Sequence, residues 1–210
     1  MTATKYELTD QTHPDNPNLR RIRALIDIPR HGVHKGDLGG WIESESCLDQ
    51  SGDAWVFGDA RVFGDARVSG DARVFGDARV SGDARVSGDA RVFGDARVFG
   101  AAWVSGVDDT LAAGPLSSQG HWGTLYRTAT GHQISIGCWT GTADGLRELA
   151  KGKGWPSEAG KATRKRYRPR LLAFADLCDT QIALWDQRGA ASAESRQPTG
   201  LTRVADEAES

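Results

Sequence analysis

Cysteine is scarce in this chain. The 210 residues hold three, Cys47, Cys138 and Cys178, and no CxxC spacing occurs among them. An odd number without paired spacing argues against a disulfide framework and against a zinc ribbon, and fits a reducing compartment. No apolar run approaches the ~18 residues of a membrane span. The opening MTATKYELTDQTHPD lacks the basic and apolar regions of a secretory signal. The expectation is a soluble, cytoplasmic protein without a membrane partner. Net charge is small, −2, which excludes a polycation or an acidic brush as a whole. The charge is uneven, however. Residues 1–118 carry 13 Lys/Arg against 18 Asp/Glu, and residues 119–188 carry 11 against 6. An anion-binding surface is therefore expected in the second part.

What the chain has in excess is one hexapeptide. Nine copies of G-D-A-R-V-(F/S) begin at Gly52, Gly58, Gly64, Gly70, Gly76, Gly82, Gly88, Gly94 and Gly100, with variants at Trp55, Ala101 and Trp103. Six residues is too short for a helical solenoid unit, and a valine every six residues does not follow a 3.6-residue period. In an extended strand Ala and Val point the same way, and Arg and the Phe/Ser position point the other way. Gly-Asp suits the corner, since glycine tolerates positive φ. Three hexapeptides then close one coil, with successive coils ~4.8 Å apart. This is the hexapeptide pattern of left-handed parallel β-helices.

The fold class expected is mainly β: a left-handed parallel β-helix of three to four 18-residue coils, then a small α+β module of a hairpin plus helices. Residues 1–39 read as an irregular polar lead and cap with a strand around Leu19–Ile28. Residues 40–106 read as the β-helix, 107–118 as a linker, 119–188 as the α+β module and 189–210 as a disordered tail. Ile42 and Leu48 share the six-residue phase of the alanines, so the helix should start near Gly40. Trp41, Trp55 and Trp103 mark its two ends, where open strand edges need covers.

At a period of 18 the Phe/Ser alternation becomes ordered. Phe57, Phe75 and Phe93 fall on one wall, Ser69, Ser87 and Ser105 on another, and Phe63, Ser81 and Phe99 on the third. The pure Phe column, with Arg73 and Arg91 beside it, is the candidate interface, either between subunits of a trimer or with the chain's own C-terminal module. Asp and Arg on every coil are expected to pair across the outer surface.

In the second part WGTLYRTATGHQISIGCWTG reads as a hairpin of Thr124–Thr128 and Gln133–Trp139. Thr142 is the expected N-cap of a helix that stops at Gly152 or Gly154. A second helix should kink or break at Pro169. Cys138 reads as a small buried hydrophobe. The stretch KATRKRYRPR gathers Lys161, Arg164, Lys165, Arg166, Arg168 and Arg170 around Tyr167, a candidate surface for phosphate, nucleotide or nucleic acid.

The chain also resembles phage and prophage hexapeptide-repeat proteins of unknown function, of the polymer-forming cytoskeletal-like kind. The resemblance rests on KYELTD, RRIRALIDI, KGDLGGWIESES leading into GDAWVFGDARV, and ISIGCWTGTADGLRELA, and it spans about residues 5–186. It implies an accessory phage protein acting in the host cytoplasm, and by analogy an inhibitor of a host antiphage defence complex. Hexapeptide-repeat acyltransferases share the fold, but they need a histidine on a coil wall, and from Ile42 to Ser118 there is none. The five histidines are His13, His31, His34, His121 and His132. The leading expectation is a non-enzymatic binding or scaffold protein with no catalytic residue, metal or cofactor. A homo-oligomer, favoured as a trimer, a host protein complex and a nucleic acid or nucleotide are its expected partners. An acyltransferase ranks last.

Overall fold

The computed structural model of the chain describes residues 4–152 and 161–194. Its body is a parallel β-solenoid of about four turns built from two-residue strands. Trp55–Val56 (β4), Arg61–Val62 (β5), Arg67–Val68 (β6), Arg73–Val74 (β7), Arg79–Val80 (β8), Arg85–Val86 (β9), Arg91–Val92 (β10), Arg97–Val98 (β11) and Trp103–Val104 (β12) follow one another at six-residue spacing. They stack as three walls. The first wall holds β5, β8 and β11, the second β6, β9 and β12, and the third β4, β7 and β10. Every junction among these strands is parallel and in register, Val on Val throughout and Arg on Arg except where Trp55 meets Arg73 and Trp103 meets Arg85. Rung-to-rung bonds such as Arg61 N–H to Ala78 O at 2.9 Å run up each wall. All the interior alanines and valines are buried. The corner glycines take positive φ, from 56° at Gly58 to 74° at Gly76, a region costly for residues with a Cβ.

The first coil departs from the repeat. Ile42 pairs with Val62 and Leu48 with Val68, a spacing of 20, whereas Val56 pairs with Val74 at 18. Ile42 and Leu48 therefore stand at the valine level, correcting the phase read from the sequence. The two additional residues lie between Leu48 and Val56. Gly40 takes the alanine level, where an added Cβ would come within 2.6 Å of Val56 Cγ1 and 2.7 Å of Ala60 O.

The N-terminal lead is not irregular. Tyr6–His13 (β1) and Asn16–Ala24 (β2) form an antiparallel hairpin, and β2 pairs with Leu38–Ile42 (β3), the bottom strand of the first wall. This hairpin covers the lower end. Trp55 is buried with Tyr6 edge-on at 6.3 Å, and Trp41 is buried with His13 edge-on at 5.0 Å and the Arg21 guanidinium 4.9 Å from its ring. Lys5 Nζ donates to Ala54 O at 2.9 Å and reaches Ser51 O and Gly52 O at 3.4 Å. It thus satisfies carbonyls of the first corner that have no coil below them.

The segment read as a linker contains a strand. Thr110–Ala113 (β13) joins Gly123–Thr128 (β14), Gly131–Ile136 (β15) and Trp139–Gly141 (β16) in an antiparallel sheet. Strand alternation gives this sheet two covered faces. Thr124, Tyr126 and Ser135 face the top of the solenoid, and Leu125, Ile134 and Ile136 face the helices Ala143–Lys151 (α1) and Lys161–Glu194 (α2). Thr142 caps α1, its Oγ1 accepting from Gly145 N–H at 3.2 Å, and Gly152 follows the last helical residue. Helix α2 runs through Pro169 without a break, so the break expected there does not occur. It also takes in residues 189–194 of the segment read as a disordered tail, whose remainder, 195–210, lies outside the described residues.

Candidate interaction surfaces

The joint between solenoid and module is built on few residues. Arg97 on the last rung of the first wall donates its N–H to Thr124 Oγ1 at 3.1 Å, accepts from Ser135 Oγ at 2.8 Å, and donates Nη1 to Gly137 O at 3.3 Å. Asp109 Oδ2 accepts from Ser105 N–H, Ser105 Oγ and Gly106 N–H, each at 2.9 Å. Its other oxygen lies 3.7 Å from Arg127. Trp185 of α2 donates Nε1 to Asp108 O at 2.7 Å, and Arg188 pairs with the Asp108 carboxylate at 3.2 Å. Arg147 of α1 bonds Asp176 and Asp179 of α2, and these carboxylates raise its already high pKa.

The basic stretch occupies the first half of α2. The side chains of Lys161 and Arg164 lie outside the described residues. Lys165, Arg166, Arg168 and Arg170 are exposed, and among the described residues none of the four forms an ion pair. At about 100° per residue they point in different directions around the helix, so they surround it rather than making one basic face. Arg166 and Arg170 flank Tyr167, 5.6 and 5.3 Å from its ring centre. Arg170 also donates to Pro115 O at 3.1 Å. It borders a groove of about 460 Å³ lined with Pro115, Leu116, Ala173, Phe174 and Leu177. Leu177 and Leu184, seven residues apart on one side of α2, are 45% and 46% exposed.

The Phe column lies on the third wall as the period of 18 required. Phe57 is half-buried under His31, whose ring is 6.3 Å away, and Arg30 pairs with Asp71 at 3.2 Å beside it. Phe75 and Phe93 stack at 5.5 Å, and Phe93 is 40% exposed. The module reaches only the upper rim of this wall among the described residues, through Thr110 Oγ1 on Arg91 O at 3.1 Å and Trp122 over Gly94. It sits on the end of the solenoid, at Arg97, Phe99 and Ala102, and not on the Phe column. Arg73 is half-buried and Arg91 exposed.

The expected lacing of the surface by Asp–Arg pairs does not occur. Among the described residues no hexapeptide Arg pairs with a hexapeptide Asp. The hexapeptide residues that do pair, Arg61 with Asp15 and Asp71 with Arg30, reach to the N-terminal lead. Geometry explains this: Asp stands on the corner, whereas Arg projects from the flat of the wall. The second wall shows the result most openly. Arg67 and Arg85 are exposed and form no ion pair among the described residues. Ser69, Ser87 and Ser105 run beside them, and Trp103 tops the column directly above Arg85. Trp103 is 51% exposed, unlike Trp41 and Trp55.

Two of the histidines reach a coil wall, His13 at Trp41 and His31 at Phe57. His31 comes from the N-terminal 3₁₀ turn to Phe57. Both of its ring nitrogens are buried, and burial, with Arg73 nearby, lowers its pKa. The repeat pattern places no histidine there because the contact is made by a segment outside the repeat. Cys138 is exposed in the turn after β15, correcting the buried position expected for it, while Cys178 is buried in the module core and its thiol is pushed up to about 12 by desolvation. Among the described residues no helix is long and apolar enough to cross a membrane.

A family model described as the YdcK beta solenoid repeat matches residues 66–82, 78–92 and 90–106. The match lies on the rungs alone. It makes the chain similar to that repeat in its solenoid, and leaves the N-terminal hairpin and the C-terminal module without a counterpart in the match. No curated protein matches the chain.

Proposed function

We propose that this chain is a non-enzymatic accessory protein of phage or prophage origin, acting in the host cytoplasm, that binds or scaffolds other molecules. The solenoid serves as a rigid platform and the C-terminal module as the recognition element. The exposed side of α2 carries this reading: Leu177 and Leu184 stand open beside an apolar groove edged by Arg170. Apolar surface of this kind, rimmed by charge, marks interaction sites in soluble proteins. The resemblance of the KGDLGGWIESES segment to phage hexapeptide-repeat proteins supports the origin. Affinity capture from host lysate tests it. A partner retained by wild type and lost with Leu177→Asp/Leu184→Asp is the expected result, and identical captures would overturn the assignment of the surface.

A second reading is favoured by four exposed cations of α2 that form no ion pair among the described residues: an inhibitor of a host antiphage defence complex that meets phosphate through Lys165, Arg166, Arg168 and Arg170. Removing one phosphate-binding cation should reduce the salt dependence of binding by about one unit of slope. Filter binding of duplex DNA and RNA across salt, with Lys165, Arg166 and Arg168 changed to Ala, measures this. Salt-independent or absent binding by wild type rejects the phosphate-binding role.

A further inference from the structure

We propose that the top of the second wall is a nucleotide-unit site, in which a planar base stacks on Trp103 and its phosphate meets Arg85. The site stands on features of the last coil that break the repeat. Where the two rungs beneath it on this wall have Asp and Arg, the last has Ala101 and Trp103. Elsewhere in the chain a tryptophan at the Arg position lies under the N-terminal hairpin. Trp41 and Trp55 are 6% and 1% exposed, but Trp103 is 51% exposed. Two cavities flank it and share Trp103 and Ala129 as walls. One, of about 410 Å³, holds Arg85, Asp83 and Ala101. The other, of about 340 Å³, holds Ser105, Asp109 and Arg127.

The chemistry of the lining selects the ligand. Arg85 lies one rung below the indole, exposed and without an ion pair among the described residues, and is thus available to an anion. Arg127 is committed to Asp109 at 3.7 Å and to the Trp185 ring at 5.7 Å, and Asp109 to the Ser105 and Gly106 donors. The second cavity therefore offers shape more than charge. An open aromatic face beside a free guanidinium is the combination that holds a base and its phosphate. The Asp83 carboxylate opposes further negative charge and suits a base with an exocyclic amine. That favours one phosphate over a polyphosphate tail. The same chemistry would accept a free nucleotide or a unit within a single strand.

Equilibrium binding of radiolabelled AMP and of a short oligo(dA), each at several salt concentrations, tests the site. Wild type should bind at least one of them saturably. Trp103→Ala should weaken that binding about tenfold or more, Trp103→Phe should keep most of it, and Arg85→Gln should flatten the salt dependence. Unchanged circular dichroism and melting of the variants confirm that the outward substitutions leave the fold intact. Binding of AMP with this Trp103 dependence assigns the site to free nucleotide, and binding of oligo(dA) alone assigns it to single strands. Absence of saturable binding of both probes, or equal binding by Trp103→Ala, overturns the proposal. So does loss of binding on Arg166→Ala/Arg168→Ala with none on Trp103→Ala, since the ligand would then lie on α2.

Discussion

A few single residues close the lower end of the solenoid, and two of them make stability depend on pH in opposite senses. Lys5 is buried on three backbone carbonyls, and desolvation lowers its pKa to about 8 despite Asp49 and Asp53 nearby. Between about pH 8 and the ordinary lysine value near 10.4 the unfolded chain binds more protons than the folded one, so stability should rise with pH. Tyr6 donates its hydroxyl to Leu48 O at 2.7 Å, and burial first, with Glu45, Cys47 and Asp49 adding, raises its pKa above the ordinary value. Above about pH 10 the unfolded tyrosine ionises first, and stability should fall. Urea titrations across this range should show a maximum between the two effects, and Lys5→Met should abolish the rising limb. At the other end Asp109 holds three hydrogen bonds at 2.9 Å. Asp109→Ala leaves two backbone N–H groups without their acceptor and should cost about 1–3 kcal/mol, read as a lower urea midpoint.

At the scale of the element, each corner is limited in two ways that can be measured apart. Gly58 and Gly88 both have positive φ, 56° and 58°. A Cβ on Gly58 meets nothing within 4 Å, whereas one on Gly88 would lie 2.0 Å from Ser105 O. Gly58→Ala should therefore cost about 1–2 kcal/mol for its backbone conformation, and Gly88→Ala about 1–3 kcal/mol more for the displacement of the next coil. Thermal melts of the pair decide this, and equal losses would refute the steric part. The same corners show why the rungs are readable in the sequence. Gly, Ala and Val repeat without error because each recurs at an equivalent place in the coil, Gly at a positive-φ corner and Ala and Val in the buried interior. The first coil lies two residues out of the phase read from the sequence because Ile42 and Leu48 fit either interior level by hydrophobicity, and only the pairing with Val62 and Val68 separates the two. Strand β1 is hidden because YELTDQTH is polar and has Tyr6 as its only large buried apolar residue. Strand β13 is hidden because TLAA, all partly buried, carries no alternation. On the candidate surfaces, the Phe column and the exposed arginines of α2 are legible as periodicity and composition. The bare Trp103 is not, since its exposure depends on where the module comes to rest.

For the whole molecule, the two covers leave the sides of the rod open. The third wall presents Phe75 and Phe93 in a stack whose upper ring is 40% exposed, and this is the face proposed to join subunits, as a trimer. Sedimentation equilibrium at micromolar concentration should give a trimer for wild type and a smaller species for Phe75→Ser/Phe93→Ser. A wild-type monomer would reject that interface and leave the walls to other partners.

The hairpin and the module sit on the terminal coils, with contacts one coil further in at Arg61 and Asp71 from the N-terminal lead and at Arg91 from the module. Between Gly76 and Phe93 every rung pairs its backbone with a near copy of itself. A duplication of one 18-residue coil there would add a storey and carry the module upward unchanged, about 4.8 Å further from the hairpin. The distance between the two ends is thus set by the number of coils, in fixed steps of about 4.8 Å.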